Sequence, residues 1–380
     1  MDSTLIAELV ELRKTLHRHA EPSGVEDQTA QILIDYLSRH GPSQMVTSLG
    51  DNGMAAVFRF KDPGPTLLFR AELDALPIRE DNDFSYRSRT ANVSHKCGHD
   101  GHMAIVSGLA ALLHTDPVRK GAVVLLFQPA EETGQGAAQV IESDGFKSLN
   151  PDFVFALHNL PGIQTGAVAV KSGVITCASI GLQLVLQGKT AHASQPEDGI
   201  SPTSAMCDII QSLTEMPRGS GVDDSHEFVT VVFARLGERT FGTAPGYAEI
   251  MATLRSRQDD RLEAMMKEAG RIAAESSRKY NLNSEITWHD HFMACQNHPD
   301  AVDMVLQAAR ACSQRVEQLT EPFRWSEDFG RFTDRYPGAL FALGAGKGTL
   351  PLHNSGYDFP DTLLPIGLSL FWQIIKQTLG

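Results

Sequence analysis

Three apolar runs limit what this chain can fold into. Residues 121–127 (GAVVLLF), 152–157 (DFVFAL) and 339–343 (ALFAL) are nearly free of polar interruption, as expected of strands buried on both faces. Helical patterns separate them, and strands alternating with helices point to an α/β fold with a mainly parallel central sheet flanked by helices. In such sheets ligands collect at the carboxyl ends of the strands. The chain places its chemistry there: Asp74 follows a strand read over 66–70, Glu131 and Glu132 follow the first run, His158 and Asn159 end the second, and a Gly-rich loop leads from the third to His353. Taken singly, His158 reads as a core histidine, His353 as a surface one and Glu131-Glu132 as a solvated acidic pair. Their shared placement is the informative observation.

The remaining elements follow from periodicity. Leu5, Leu9, Leu12 and Leu16 mark an amphipathic helix over 3–20, and a second helix occupies 25–40 after the break at 21–24 (EPSG). Residues 54–60 and 66–70 read as strands with 62–65 (DPGP) as the turn between them, and 101–113 as an Ala- and Leu-rich helix. From 179 to 292 the texture changes. Residues 181–186 and 227–236 alternate like half-exposed antiparallel strands, 200–216 and 259–280 like amphipathic helices, and 217–224 (PRGSGVDD) reads as a flexible loop. This gives a catalytic domain in two parts, 1–178 and 293–380, with a smaller α+β domain inserted over 179–292; 380 residues are more than a single core ordinarily serves.

Composition excludes several classes. A formal net charge of −13 argues against nucleic acid. No apolar run approaches the ~20 residues of a membrane span, and Met1-Asp2-Ser3-Thr4 shows no secretory signal. Five cysteines without a framework suit reduced thiols in a cytoplasmic setting. Cys177, Cys207, Cys295 and Cys312 read as small buried hydrophobes. Cys97 alone has histidines beside it.

Residues 94–102 (SHKCGHDGH) hold three histidines, that cysteine and an aspartate around two glycines, which is metal-site composition. Cys97, His99, Glu132, His158 and His353 together make five soft and intermediate ligands. Five are too many for one open catalytic zinc and suit two divalent ions sharing a bridge. Zinc, manganese, nickel and cobalt all tolerate this donor set. His102, one turn after His99, reads as supporting, as does His95. Asp100 reads as a helix cap or as an acceptor for a ligand histidine.

At these residues the chain resembles the dinuclear-metal amidohydrolases that include hippurate hydrolases, bacterial N-acyl-amino-acid deacylases and plant auxin-conjugate hydrolases. The resemblance runs through His17, 70–77 (RAELDALP), 95–102 (HKCGHDGH), 128–132 (QPAEE), 157–159 (LHN), 188–194 (GKTAHAS), 326–329 (SEDF) and 352–361 (LHNSGYDFPD). It implies a ferredoxin-like lid as the inserted domain and hydrolysis of a small-molecule amide by a metal-activated water. It also implies that the five ligands bind metal with Cys97 as the bridge, that Glu131 is the general acid/base, and that Asp74 orients a ligand histidine. His192 would approach the substrate carbonyl or carboxylate, and Arg255 would hold a substrate carboxylate. The chain departs from the family at 19–22 (HAEP), 194–197 (SQPE) and 241–245 (FGTAP), the last lacking an asparagine that relatives place near Thr243; these departures bear on substrate range. Two rival readings are a dipeptidase or carboxypeptidase on the same centre and a non-catalytic metal- or ligand-binding protein, against which the intact Glu131 speaks. An exposed edge strand of the inserted domain could pair across a two-fold axis to give a homodimer.

Overall fold

The structure, a computed structural model, describes residues 2–216 and 227–380; the loop read at 217–224 lies outside them. The chain divides into two units. The larger comprises Met1–Ile175, Cys295–Pro322 and Glu327–Gly380, and the smaller comprises Thr176–Ala294 with Phe323–Ser326. The return of 323–326 to the smaller unit has no counterpart in the sequence pattern.

The larger unit is built on eight strands: β1 (Gln44–Leu49), β2 (Gly53–Arg59), β3 (Asp62–Glu72), β4 (Lys120–Gln128), β5 (Phe153–Pro161), β6 (Val168–Val170), β7 (Val316–Gln318) and β8 (Gly338–Gly346). Their order across the sheet is β1-β2-β4-β3-β5-β8-β6-β7. The central neighbours β4, β3, β5 and β8 are all parallel, so their carboxyl ends share one edge. As expected of strands covered on both faces, β4 is buried from Ala122 through Gln128. Helices α1 (Ser3–Arg18), α2 (Asp27–Ser38), α3 (His99–Thr115), α4 (Pro299–Ala311) and α5 (Leu363–Leu379) contribute Leu9, Leu16, Leu33, Leu109, Val305 and Phe371 to one core with Phe69, Leu125, Phe155 and Phe341 of the sheet. Each side chain of this size removed from water contributes roughly 1.5–3 kcal/mol.

Two expectations need correction. Residues 62–65 are part of β3 rather than a turn. Asp62 pairs with Lys120 and the register shifts before Thr66 meets Ala122, so Pro63 and Pro65 sit in an irregularity where the ladder asks no N–H of them. β2 and β3 are not sheet neighbours either; β4 lies between them. His158 and Asn159 lie inside β5, since pairing continues through Ala342 with His158 and Leu343 with Asn159. Strand β1 carries no strong alternation and was not foreseen.

The smaller unit is a four-stranded antiparallel sheet in the order Phe228–Leu236, Tyr247–Ser256, Ala178–Gln187, Asn283–Phe292, with helices Thr203–Thr214 and Asp259–Lys279. This βαββαβ order is ferredoxin-like. Alternation places Leu182, Leu184, Leu186, Ile250, Ala252 and Leu254 in the unit's interior with Ile209, Leu213, Leu262 and Met265 of the helices.

Candidate metal centre

The shared edge of the parallel strands gathers the candidate ligands within the larger unit. Gly98 sits at φ 93° immediately before α3, in the left-handed region that favours glycine. A Cβ there would lie 2.1 Å from Asn159 Oδ1. Only glycine therefore turns the chain between Cys97 and His99 so that both face the same side. His99 opens α3, two residues before the start read from the sequence, and its Nδ1–H donates to the carbonyl of Asp74 at 2.9 Å. That bond leaves Nε2 directed inward, 3.9 Å from both Glu131 and Glu132. His158 Nδ1–H donates to the carbonyl of Asn159 at 2.9 Å, and its Nε2 lies 3.4 Å from Cys97 Sγ. Backbone carbonyls thus set both tautomers and aim the second nitrogen of each ring into the cluster.

Glu131 and Glu132 occupy a turn closed by Gly134 N–H on the carbonyl of Glu131. Ala130 enters the turn at φ 49°. His353 lies in a loop, itself at φ 65°, with Nε2 3.9 Å from Glu132. Of the five groups of donor atoms within 4.8 Å of one another among the described residues, two consist wholly of the candidate ligands: Cys97, His99 and His158, and Cys97, Glu132 and His353; His99 also groups with Glu131 and Glu132 and with Glu72 and His102. Cys97 is common to the two ligand groups.

The electrostatics of the cluster favour a cation. Burial, with Glu327, Glu132 and Asp328 nearby, pushes the Glu131 carboxyl well above its usual range. Burial likewise lifts Glu132 to about 7 and raises the Cys97 thiol, aided by Glu132 and Glu131. Burial opposes charge on His99, yet Glu72, Asp74 and Glu132 outweigh it and raise the imidazole to about 10. His158 falls to about 3 through burial and the neighbouring His102. His99 Nε2 and Glu132 Oε1 are buried without a hydrogen-bond partner, an arrangement costly unless something completes it. Orphaned donors converging with a thiol and excess carboxylate fit two divalent ions.

Supporting residues differ in detail from expectation. Asp74 orients His99 through its carbonyl, while its carboxylate accepts from Ser23 Oγ at 2.7 Å and Glu132 N–H at 3.0 Å. Asp100 neither caps α3 nor meets a ligand; it pairs with Arg13 and His17. His102 donates from Nδ1 to Glu72 at 2.8 Å and accepts at Nε2 from Asn159 N–H at 3.1 Å, so both nitrogens are engaged. His95 is buried and falls within none of the donor groups found among the described residues.

Sequence reasoning missed the buried floor. Arg70 is fully buried and bonds Gln128, Glu72, Glu327 and Asp328. Glu327 and Asp328 also lie within 4.8 Å of Glu131. No local pattern marks Arg70 as buried, since Thr66 and Glu72 are polar residues of the same strand. His192 and Arg255 belong to the smaller unit. His192 is exposed, its Nδ1 2.7 Å from Ser194 Oγ. Arg255 lies within the strand Tyr247–Ser256 and donates to Ser326 Oγ at 2.7 Å and to the carbonyl of Arg324 at 3.1 Å. Cys177 and Cys295 are buried and Cys312 half-buried, but Cys207 is exposed. Among the described residues no helix is long and apolar enough to cross a membrane.

Comparison with known proteins agrees with this geometry. The chain is 27% identical over 98% of its length to an N-acetylcysteine deacetylase of Bacillus subtilis (strain 168), covering 97% of that protein. It is 28% identical over 94% of its length to thermostable carboxypeptidase 1 of Saccharolobus solfataricus, covering 92% of it. Its fold matches the crystal structure of a dinuclear metal-binding peptidase from the M20 family of Bacillus subtilis, with a TM-score of 0.82, 25% identity and coverage of 100% and 99% of the two chains. Peptidase family M20/M25/M40 matches residues 68–377. The chain belongs to that family of hydrolases, the one its motifs and its strand-end cluster indicate.

Proposed function

We propose that this protein hydrolyses the amide bond of N-acyl amino acids or related amide conjugates. The observation that carries the reading is that Cys97 joins two donor groups, one buried with His99 and His158 and one opening outward with Glu132 and the exposed His353, with Glu131 beside His99 and Glu132. Cys97, His99 and His158 would hold one divalent ion, and Cys97, Glu132 and His353 the second. Zinc, manganese, nickel and cobalt all suit the donors. When bound, the ions supply Lewis acidity and lower the pKa of water.

Glu131 accepts a proton from the attacking water as its oxygen adds to the acyl carbon. It returns that proton to the nitrogen as the C–N bond breaks, so the carboxylic acid and the free amine leave together. Asp74 positions His99 and the backbone of Glu132. His192 donates to the carbonyl oxygen or carboxylate of the substrate, and Arg255 holds a substrate carboxylate. Likeness to a carboxypeptidase favours, as a second reading, a dipeptidase or carboxypeptidase that releases the residue at the carboxyl terminus of a peptide. The edge strand Phe228–Leu236 exposes Val232, Phe233 and Leu236; paired with its copy it makes a homodimer, for which a monomeric mass in light scattering would be disqualifying. With none of its cysteines in a disulfide, the protein suits the cytoplasm.

The Glu131→Gln variant tests the assignment. Turnover of N-acyl amino acids should fall by roughly 10²–10⁴ with metal content unchanged. Loss of metal together with turnover would show that Glu131 is a ligand instead. Assaying N-acetyl and N-benzoyl amino acids beside unblocked dipeptides decides between the two substrate readings.

A further inference from the structure

Helix α1 supplies none of the proposed ligands, yet it carries two fully buried cationic side chains, Arg13 and His17. Arg13 Nε donates to Asp361 at 2.5 Å, and its Nη1 donates to Asp358 and to Asp100, each at 3.0 Å. His17 Nδ1 meets Asp100 at 2.9 Å, and Nε2 meets Glu80 at 2.9 Å. Glu80 accepts in turn from Lys96 Nζ at 2.6 Å, and that ammonium also donates to the carbonyl of Tyr357 at 2.8 Å. The carbonyl of Lys96 accepts from His353 N–H at 2.8 Å.

These bonds join two ligand-bearing segments that have no strand pairing with one another. One, 96–100, carries Cys97 and His99. The other, 353–361, begins at His353 and forms no helix or strand. The two histidines of the first ion have anchors outside the second segment, His99 the carbonyl of Asp74 and His158 the carbonyl of Asn159, and 353–361 touches that pair through Tyr357, whose Oη accepts from the Asn159 side chain at 2.8 Å. The donors of the second ion depend on that segment directly: His353 must meet Cys97 and Glu132 from a loop whose backbone it holds at φ 65°.

Building on the two-ion reading above, we propose that Arg13, with His17 and Lys96, is the positioning element for the second ion. It clamps the 353–361 segment to the 96–100 segment so that His353 and Cys97 reach one ion, and it leaves the first ion untouched. Three carboxylates on a single buried guanidinium supply the geometric precision, because the planar fork fixes directions that a single ammonium does not.

The test is a cobalt(II) titration of the metal-free full-length protein, followed through the thiolate-to-cobalt charge-transfer band and by metal analysis. Asp358→Asn/Asp361→Asn cuts the clamp at two partly exposed side chains and keeps their volume. His353→Ala identifies which step of the titration is the second ion. In Asp358→Asn/Asp361→Asn the second step should weaken at least tenfold while the first stays within twofold and the unfolding midpoint of the metal-free protein is retained. Arg13→Met should show the same selective loss. Unchanged affinities at both steps, or equal weakening of both, would overturn the clamp while the two-ion reading stood. A wild-type protein that takes up fewer than two ions would overturn both.

Discussion

Replacing Gly98 with alanine probes how the metal centre is assembled. Two terms add. At φ 93° a side chain costs roughly 1–2 kcal/mol. The new Cβ would also lie 2.1 Å from Oδ1 and 2.9 Å from Cγ of Asn159. Asn159 has little room to retreat. It is fully buried, its side chain donates to Tyr357 Oη at 2.8 Å and its backbone N–H donates to His102. Overpacking of this kind costs roughly 1–3 kcal/mol, so Gly98→Ala should destabilise the metal-free protein by about 2–5 kcal/mol. Relief of the strain would move Cys97 or His158, and zinc affinity should fall with stability. Urea unfolding and chelator competition measure the two effects. Adding Asn159→Ala removes the wall but keeps the backbone bonds to His102 and His158. The steric term should then be recovered as a favourable coupling of about 1–3 kcal/mol, and the left-handed strain should persist. A single variant within about 0.5 kcal/mol of wild type, or strict additivity of the pair, would refute this account of the turn.

Other consequences follow from the same geometry. His17, held between Asp100 and Glu80, is raised from 6.5 to about 9 even though burial opposes its charge. A folded pKa above the unfolded one stabilises fully below pH 6.5, and the contribution is lost as pH rises through about 9. At ~1.36 kcal/mol per pH unit it amounts to about 3 kcal/mol. The stability difference between wild type and His17→Gln should therefore be largest near pH ~6 and shrink to almost nothing by pH ~10; a difference independent of pH would contradict the charged pair. Cys97→Ser removes the donor common to both groups, so metal analysis should show about two ions per chain falling to one or fewer. Retention of both would exclude a bridging role.

The sequence exposed the strand ends because a buried parallel strand must be apolar on both faces, and the first polar residue after such a run is conspicuous. That signal pointed to Asp74, Glu131 and Glu132, and the loop after the third run led to His353, though the signal misplaced the end of β5. There the run stops at His158, while pairing with β8 continues through Pro161; a buried polar side chain inside a strand looks, in sequence, like the strand's end. The prolines of 62–65 misled for the reverse reason, since an irregular edge tolerates what a regular ladder does not. The charged floor was illegible. Arg70 meets Glu327 and Asp328 across more than 250 residues of chain, and nothing local marks a charge as buried. The clamp on α1 is hidden likewise: Arg13 and His17 lie one turn apart on a helix face, where position alone does not separate them from solvated charges. The histidines of 94–102 show how context assigns roles. His99 points inward because a carbonyl takes its other nitrogen, while His102 spends both of its own on Glu72 and Asn159.

The central claim is that one cysteine serves two ions. Anomalous diffraction from crystals of the zinc-loaded protein tests it most directly. Two peaks roughly 3.5–4 Å apart should flank Cys97 Sγ, one bound by His99 and His158 and the other by Glu132 and His353. A single peak, or a second one bound without Cys97, would contradict the account.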